Sequence, residues 1–260
     1  MIKKGISATW IILALAFMYL PIFLLVIFSF TDSKIIGDWN GFSLELYKQL
    51  FQNEKLREMI IGTVLLALVA GLLSTILGTI GSIGIFYSKN WFGKTVKSAS
   101  QINVINAEIV TAISLALTFG LIGINRSFIS LIIGHVALCT PFVILSVLPK
   151  LKQMDGNLYE AALDLGATPF KALWQVVIPE IMPGIFSGFM IALTLSLDDY
   201  MITTYTKPND FNTISTYVYN AFKNPRHSNI PALRALTTLI LVIMIVVVIV
   251  MNVKASKKQK

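Results

Sequence analysis

Residues 157–179 read Asn157-Leu-Tyr-Glu160-Ala161-Ala162-Leu-Asp-Leu-Gly166-Ala-Thr168-Pro169-Phe-Lys-Ala-Leu-Trp-Gln-Val-Val-Ile-Pro179. The stretch predicts two short helices joined by a tight turn. Asn157 is a candidate N-cap with Glu160 three residues on, the pattern of a capping box. Leu158, Ala161, Ala162 and Leu165 recur at helical spacing and make one apolar face. Gly166 suits the left-handed position that closes a helix. Thr168 and Pro169 suit the N-cap and first turn of the next, whose apolar face is Phe170, Leu173, Trp174 and Val177 until Pro179 is expected to stop it. Together they form a small knob on a connection running from Pro149 to Pro183.

On both sides of the knob the chain is apolar. Over 260 residues it is 55% hydrophobic and only 13% charged, with a mean hydropathy of +0.76, whereas roughly a quarter of residues are charged in soluble domains. That excludes disorder and argues against a water-soluble enzyme. One cysteine, Cys139, cannot form an intrachain disulfide. The net charge of +8 comes from short basic clusters between apolar runs, not from one stripe or patch of the kind that binds nucleic acid; contact with membrane lipid explains it better.

A membrane-crossing helix needs about 20 mostly apolar residues. Six stretches qualify: Ala8 to Phe30, Met59 to Phe86, Ser100 to Ile122, Phe128 to Leu148, Gly184 to Thr204, and Ala232 to Val253. The first has Lys3 and Lys4 before it, as a signal peptide would, but its apolar run is too long and no small-residue cleavage site follows, so a retained helix is expected. In the second, Ala67, Gly71, Thr75 and Thr79 form one row and Ser74, Gly78 and Ser82 the next, so a neighbouring helix can approach closely. With both termini in the cytoplasm, twelve Lys and Arg residues fall inside and nine outside, the direction that the positive-inside rule requires. The knob then lies in the cytoplasm.

Chemistry of its own is not evident. The segment Ser88 to Thr95 ends in Gly93-Lys94-Thr95 but lacks the first glycine of a phosphate-binding loop and follows an apolar helix instead of a strand. His135 and Cys139 share a helix face, yet two ligands do not make a zinc site, and His227 lies in an outer loop. No triad or paired-carboxylate site is recognisable. The chain is expected to be no enzyme and to hold no cofactor or metal.

The knob closely resembles the EAA loop of ABC importer permeases, through Glu160-Ala161-Ala162, Gly166 and the closing Val176-Val177-Ile178-Pro179, where the family shows isoleucine, any residue, leucine and proline. That resemblance implies an all-α membrane protein of six transmembrane helices with the fold of type I (methionine-importer-like) permeases. It implies one permease domain over residues 1–260, with residues 149–183 as a cytoplasmic loop whose coupling helix docks on an ABC ATPase dimer. The likeness extends to Tyr19-Leu20-Pro21-Ile22, Ser29-Phe30, Trp39-Asn40-Gly41-Phe42, Leu163 to Ala167, and Leu193-Thr194-Leu195-Ser196-Leu197-Asp198-Asp199-Tyr200. These resemble the PotC-type permease subunits of spermidine/putrescine importers. The expected partners are a second, PotB-like permease, an extracytoplasmic substrate-binding protein and a polyamine, in a bacterial inner membrane. Permeases for ferric iron, thiosulfate or a phosphonate are the alternative, although an anion would suit the acidic residues poorly.

Those acidic residues are Glu108, Asp198 and Asp199. Ionisable groups within a span are costly and by default face a cavity or a partner. Glu108 is expected about eight residues, roughly 12 Å, into the third helix, and Asp198 about 14 residues, roughly 21 Å, into the fifth. Carboxylates staggered along a path suit the separated ammonium groups of a polyamine. Where related permeases tend to show proline and aspartate, this chain has Ala107 and Glu108, which is expected to remove a kink. The alternative for the Asp pair is that one of them meets a basic residue such as Arg234 or caps a helix end.

Overall fold

The computed structural model describes residues 2–33, 38–88, 90–223, 231–243 and 245. His227, the end of the sixth expected span and the C-terminal lysines lie outside these residues. The described chain is helical, with no strand among these residues. Its elements are α1 (Ile2–Phe28), α2 (Glu45–Gln52), α3 (Glu54–Tyr87), α4 (Asn90–Ile105), α5 (Glu108–Leu121), α6 (Phe128–Gln153), α7 (Asn157–Asp164) and α8 (Pro169–Ala172). A π-helical turn (Leu173–Val177), α9 (Ile178–Asp198), α10 (Met201–Thr206), α11 (Ile214–Lys223) and α12 (Pro231–Ile243) follow. Four stretches among the described residues are long and apolar enough to cross a membrane: Trp10–Phe28, Glu54–Tyr87, Phe128–Gln153 and Pro169–Asp198.

Two of the expected spans are interrupted. The third is two helices, broken at Asn106 and Ala107, so Glu108 opens α5 instead of lying inside one helix. Ala107 is extended (φ −64°, ψ 134°), and the absence of proline has not removed the bend. A carboxylate in the first turn is favoured by the partial positive charge of a helix N-terminus, which helps a new helix begin at Glu108. The fifth span starts earlier than hydropathy suggested and ends at Asp198, with α10 restarting after Asp199 and Tyr200.

The chain divides into two compact units, Met1–Glu58 with Val218–Lys260, and Met59–Tyr217. In the first, the outer-loop residues fold back on the end of α1: the Phe30 ring stacks on Phe42 at 5.7 Å and meets Tyr47 at 5.4 Å. The Ser29 hydroxyl lies 2.9 Å from that of Tyr47, and the Ser43 amide donates to the Phe30 carbonyl. The separated segments Ser29-Phe30 and Trp39 to Phe42 therefore pack as one cluster.

In the second unit α3, α6 and α9 meet through small residues, as the two rows of α3 predicted. Val143 of α6 is fully buried, wedged between Gly78 of α3 and Gly188 of α9. Gly71 faces Phe189 and Leu193, and Gly184 faces the stem of Lys150. The thiol of Cys139 points at the Ala192 carbonyl, 3.4 Å away. Of the hydroxyls buried along α3, that of Thr75 returns to the Gly71 carbonyl and that of Ser82 to the Gly78 carbonyl. Close backbone approach through small residues is how helices associate where lipid removes the hydrophobic drive.

A β-carbon on Gly78 would lie 2.6 Å from Val143 and 3.2 Å from the Thr140 carbonyl. Gly78→Val is therefore expected to cost about 1–3 kcal/mol by overpacking and to lower the melting temperature of the purified protein in detergent. Gly84→Ala on the same helix, where nothing lies within 4 Å, should melt like the native chain.

Candidate functional sites

The knob forms as two turns of different origin. Helix α7 begins at Asn157 with Gly156 as its N-cap, and the Asn157 amide donates to Asp155 Oδ1 at 3.0 Å. Asp155 thus takes the role expected of Asn157, because its side chain reaches an amide two residues on, and no capping box forms. Glu160 and Ala161 are exposed, with Ala162 half-buried. At the other end Gly166 is left-handed (φ +85°). The Gly166 amide donates to the Leu163 carbonyl and the Ala167 amide to the Ala162 carbonyl, the paired bonds of a Schellman closure. Thr168 then caps α8, its hydroxyl accepting from the Lys171 amide, with Pro169 in the first turn.

Pro179 does not stop the second helix. The chain runs on through the π-helical turn Leu173–Val177 into α9, with Pro179 in its first turn. A π turn inserts an extra residue into the spiral, and a first turn tolerates the missing N–H of proline. Knob and membrane helix are one continuous element. The knob is braced at Tyr159, whose ring lies 5.2 Å from that of Tyr87. Its outer side leaves Leu158, Leu165, Phe170 and Trp174 exposed, Leu165 to 90%.

The second site is where the interrupted helices meet. Glu108 at the start of α5 and Asp198 at the end of α9 are both exposed. Glu108 is near enough to Asp199 and Asp198 to feel both charges. The structure therefore brings together all three acidic residues singled out from the sequence. Their surroundings differ sharply. Asp199 is buried, and its carboxylate caps α10: Oδ1 accepts from the Ile202 amide at 3.1 Å, and Oδ2 from the Thr203 amide at 2.7 Å and the Thr203 hydroxyl at 2.8 Å. Of the alternatives raised for the Asp pair, Asp199 takes the helix cap.

Among the described residues Asp198 has no such hydrogen bonds. It closes α9, where the carbonyl end of the helix carries partial negative charge and disfavours a carboxylate. An exposed anion at that end gains most from an external cation.

One residue of this site escaped the sequence. His135 of α6 is fully buried, with Nδ1 2.8 Å from Ser196 Oγ, Nε2 3.0 Å from Thr203 Oγ1, and Nε2 3.6 Å from Asp199 Oδ2. A histidine within an apolar span is itself a signal. Its spacing to Cys139 drew attention to metal binding, and no cluster of metal-ligating side chains is present among the described residues.

The family model for binding-protein-dependent transport system inner membrane components matches residues 5–256. The chain belongs to that family. The spermidine/putrescine transport system permease protein PotC of Haemophilus influenzae is 30% identical over 225 residues, 86% of each chain. The putrescine transport system permease protein PotI of Escherichia coli K12 is 31% identical over 241 residues, 88% of this chain and 83% of its own.

Among solved structures, a bacterial ABC transporter involved in the import of the acidic polysaccharide alginate aligns with a TM-score of 0.72 at 18% identity, covering 100% of this permease and 99% of the other chain. The MetNI methionine ABC transporter aligns at 0.63 and 17% identity, covering 77% and 96%. At such identities the likeness speaks to fold alone, and the fold is that of ABC importer permeases. The permease is an inner membrane component, and its curated relatives are transport permeases.

Proposed function

We propose that this permease forms, with a second PotB-like permease, the membrane path of an ATP-driven polyamine importer. The whole chain acts as one permease domain with both termini in the cytoplasm. Cargo arrives on an extracytoplasmic binding protein, and hydrolysis takes place on an ABC ATPase dimer. The observation that carries the reading is the pair of exposed carboxylates, Glu108 and Asp198, at breaks in apolar helices. Relatives named for spermidine and putrescine transport point the same way. Glu108 and Asp198 offer oxygens to passing ammonium groups, and Asp199 adds its charge from a buried position.

On the cytoplasmic side Glu160, Ala161, Ala162, Gly166 and Pro179 belong to the coupling element. Exposed Leu165, Phe170 and Trp174 give it an apolar surface for an ATPase socket. A rigid turn at Gly166 and an uninterrupted run from α8 into α9 support transmission of socket closure as a rigid-body motion.

Glu108→Gln and Asp198→Asn keep size and remove charge. In vesicles holding the whole complex each should raise the KM for labelled spermidine about tenfold, the equivalent of roughly 1.4 kcal/mol, while the yield of assembled complex stays constant. Unchanged uptake in both would remove the cation path. A carboxylate pair that merely held helices together would instead lower the yield.

Gly166 has open space around it, so Gly166→Val acts through backbone strain alone, about 1–2 kcal/mol. That variant should insert normally and lose substrate-stimulated ATP hydrolysis. Normal stimulation would dissociate the turn from coupling.

A further inference from the structure

We propose that His135 is a positioning residue for cargo recognition: through Ser196, Thr203 and Asp199 it fixes the corner between α9 and α10 and so holds the Asp198 carboxylate in the path. This rests on the reading of Asp198 as part of a cation path.

The hydrogen bonds run in one direction. Thr203 has a single hydroxyl proton, and both acceptors before it belong to Asp199, Oδ2 at 2.8 Å and the backbone carbonyl at 3.3 Å. Toward His135 the Thr203 oxygen therefore accepts, which requires a proton on Nε2. In the neutral imidazole Nδ1 is then the acceptor, and it receives the hydroxyl of Ser196 at 2.8 Å.

The chain of donors is Ser196 to His135, His135 to Thr203, Thr203 to Asp199. It starts on the last turn of α9, crosses to α6, and ends on the residue that caps α10. Every member is buried. The ring thus clamps both sides of the two-residue interruption, Asp199 and Tyr200, from a third helix.

Asp198 sits between the clamped points, two residues after Ser196 and one before Asp199. Its backbone is held on both sides while its side chain remains exposed. Two adjacent aspartates accordingly have separate tasks, one spent on the corner and one left for cargo. A buried network that is fully satisfied rigidifies its surroundings, and one missing member leaves the others as costly unpaired groups.

The test is a double-mutant cycle on labelled spermidine uptake by vesicles holding the complete complex, with assembled complex quantified in parallel. His135→Phe should raise KM about tenfold, with assembled complex retained. His135→Gln presents an acceptor to Ser196 and a donor to Thr203, and should restore KM to within about twofold of the native value. These ratios correspond to roughly 1.4 and 0.4 kcal/mol.

In an Asp198→Asn background His135→Phe should add nothing further, because the group it positions is already neutral; independent sites would add instead. Thr203→Val removes only the linking hydroxyl at similar volume. It should raise KM in the same direction and serves if His135→Phe does not assemble. An impaired Asp198→Asn beside native KM in His135→Phe or Thr203→Val overturns the positioning role alone, as do fully additive effects. A native KM in Asp198→Asn overturns the path reading and this proposal with it.

Discussion

A helix that begins within an apolar layer leaves its first backbone N–H groups without water to receive them, and each must find a partner inside the protein. The permease breaks the run from α9 to α10 under that constraint. Asp199 resolves it, with both carboxylate oxygens turned to the first amides of α10. The charge this brings into the interior is tolerated because Thr203 and, behind it, His135 complete the shell. With the corner closed in this way, the preceding residue is free to present an exposed carboxylate, within electrostatic reach of Glu108 at the start of α5.

The same helix that ends at this corner begins at the knob. From Pro169 to Asp198 the chain continues through one π-helical turn without a gap, and Val143, wedged between Gly78 and Gly188, locks α3, α6 and α9 together. Closely packed interiors are bistable rather than continuously deformable. Under the proposed coupling role, a displacement delivered at Gly166 and Trp174 would be carried along α9 as a shift of a packed body toward Asp198. The proposed coupling surface and the proposed cargo site are two ends of one rod.

Much of this was legible where the determinants are local. Gly166, Thr168 and Pro169 behave as their positions predicted, because a Schellman closure and an N-cap are decided within a few residues. The small residues of α3 likewise announced close packing. Asn157 failed as a cap because α7 already begins at it, its own amide donating to Asp155 two residues earlier, and Pro179 failed as a terminator because a π turn absorbs it. The interruptions at Asn106–Ala107 and Asp199–Tyr200 are too short to disturb a hydropathy window some 20 residues long. His135 was the least accessible: its partners Ser196 and Thr203 are 61 and 68 residues away in sequence, and only the packing of α6 on α9 and α10 joins them.

The central claim is that a cationic polyamine is the cargo. The most direct measurement is ATP-dependent accumulation of labelled spermidine and putrescine by vesicles containing this permease with its second permease, ATPase and binding protein. The account predicts accumulation that requires ATP and that unlabelled polyamine suppresses. A complex that hydrolyses ATP in response to ferric iron or a phosphonate, and accumulates neither polyamine, would contradict it.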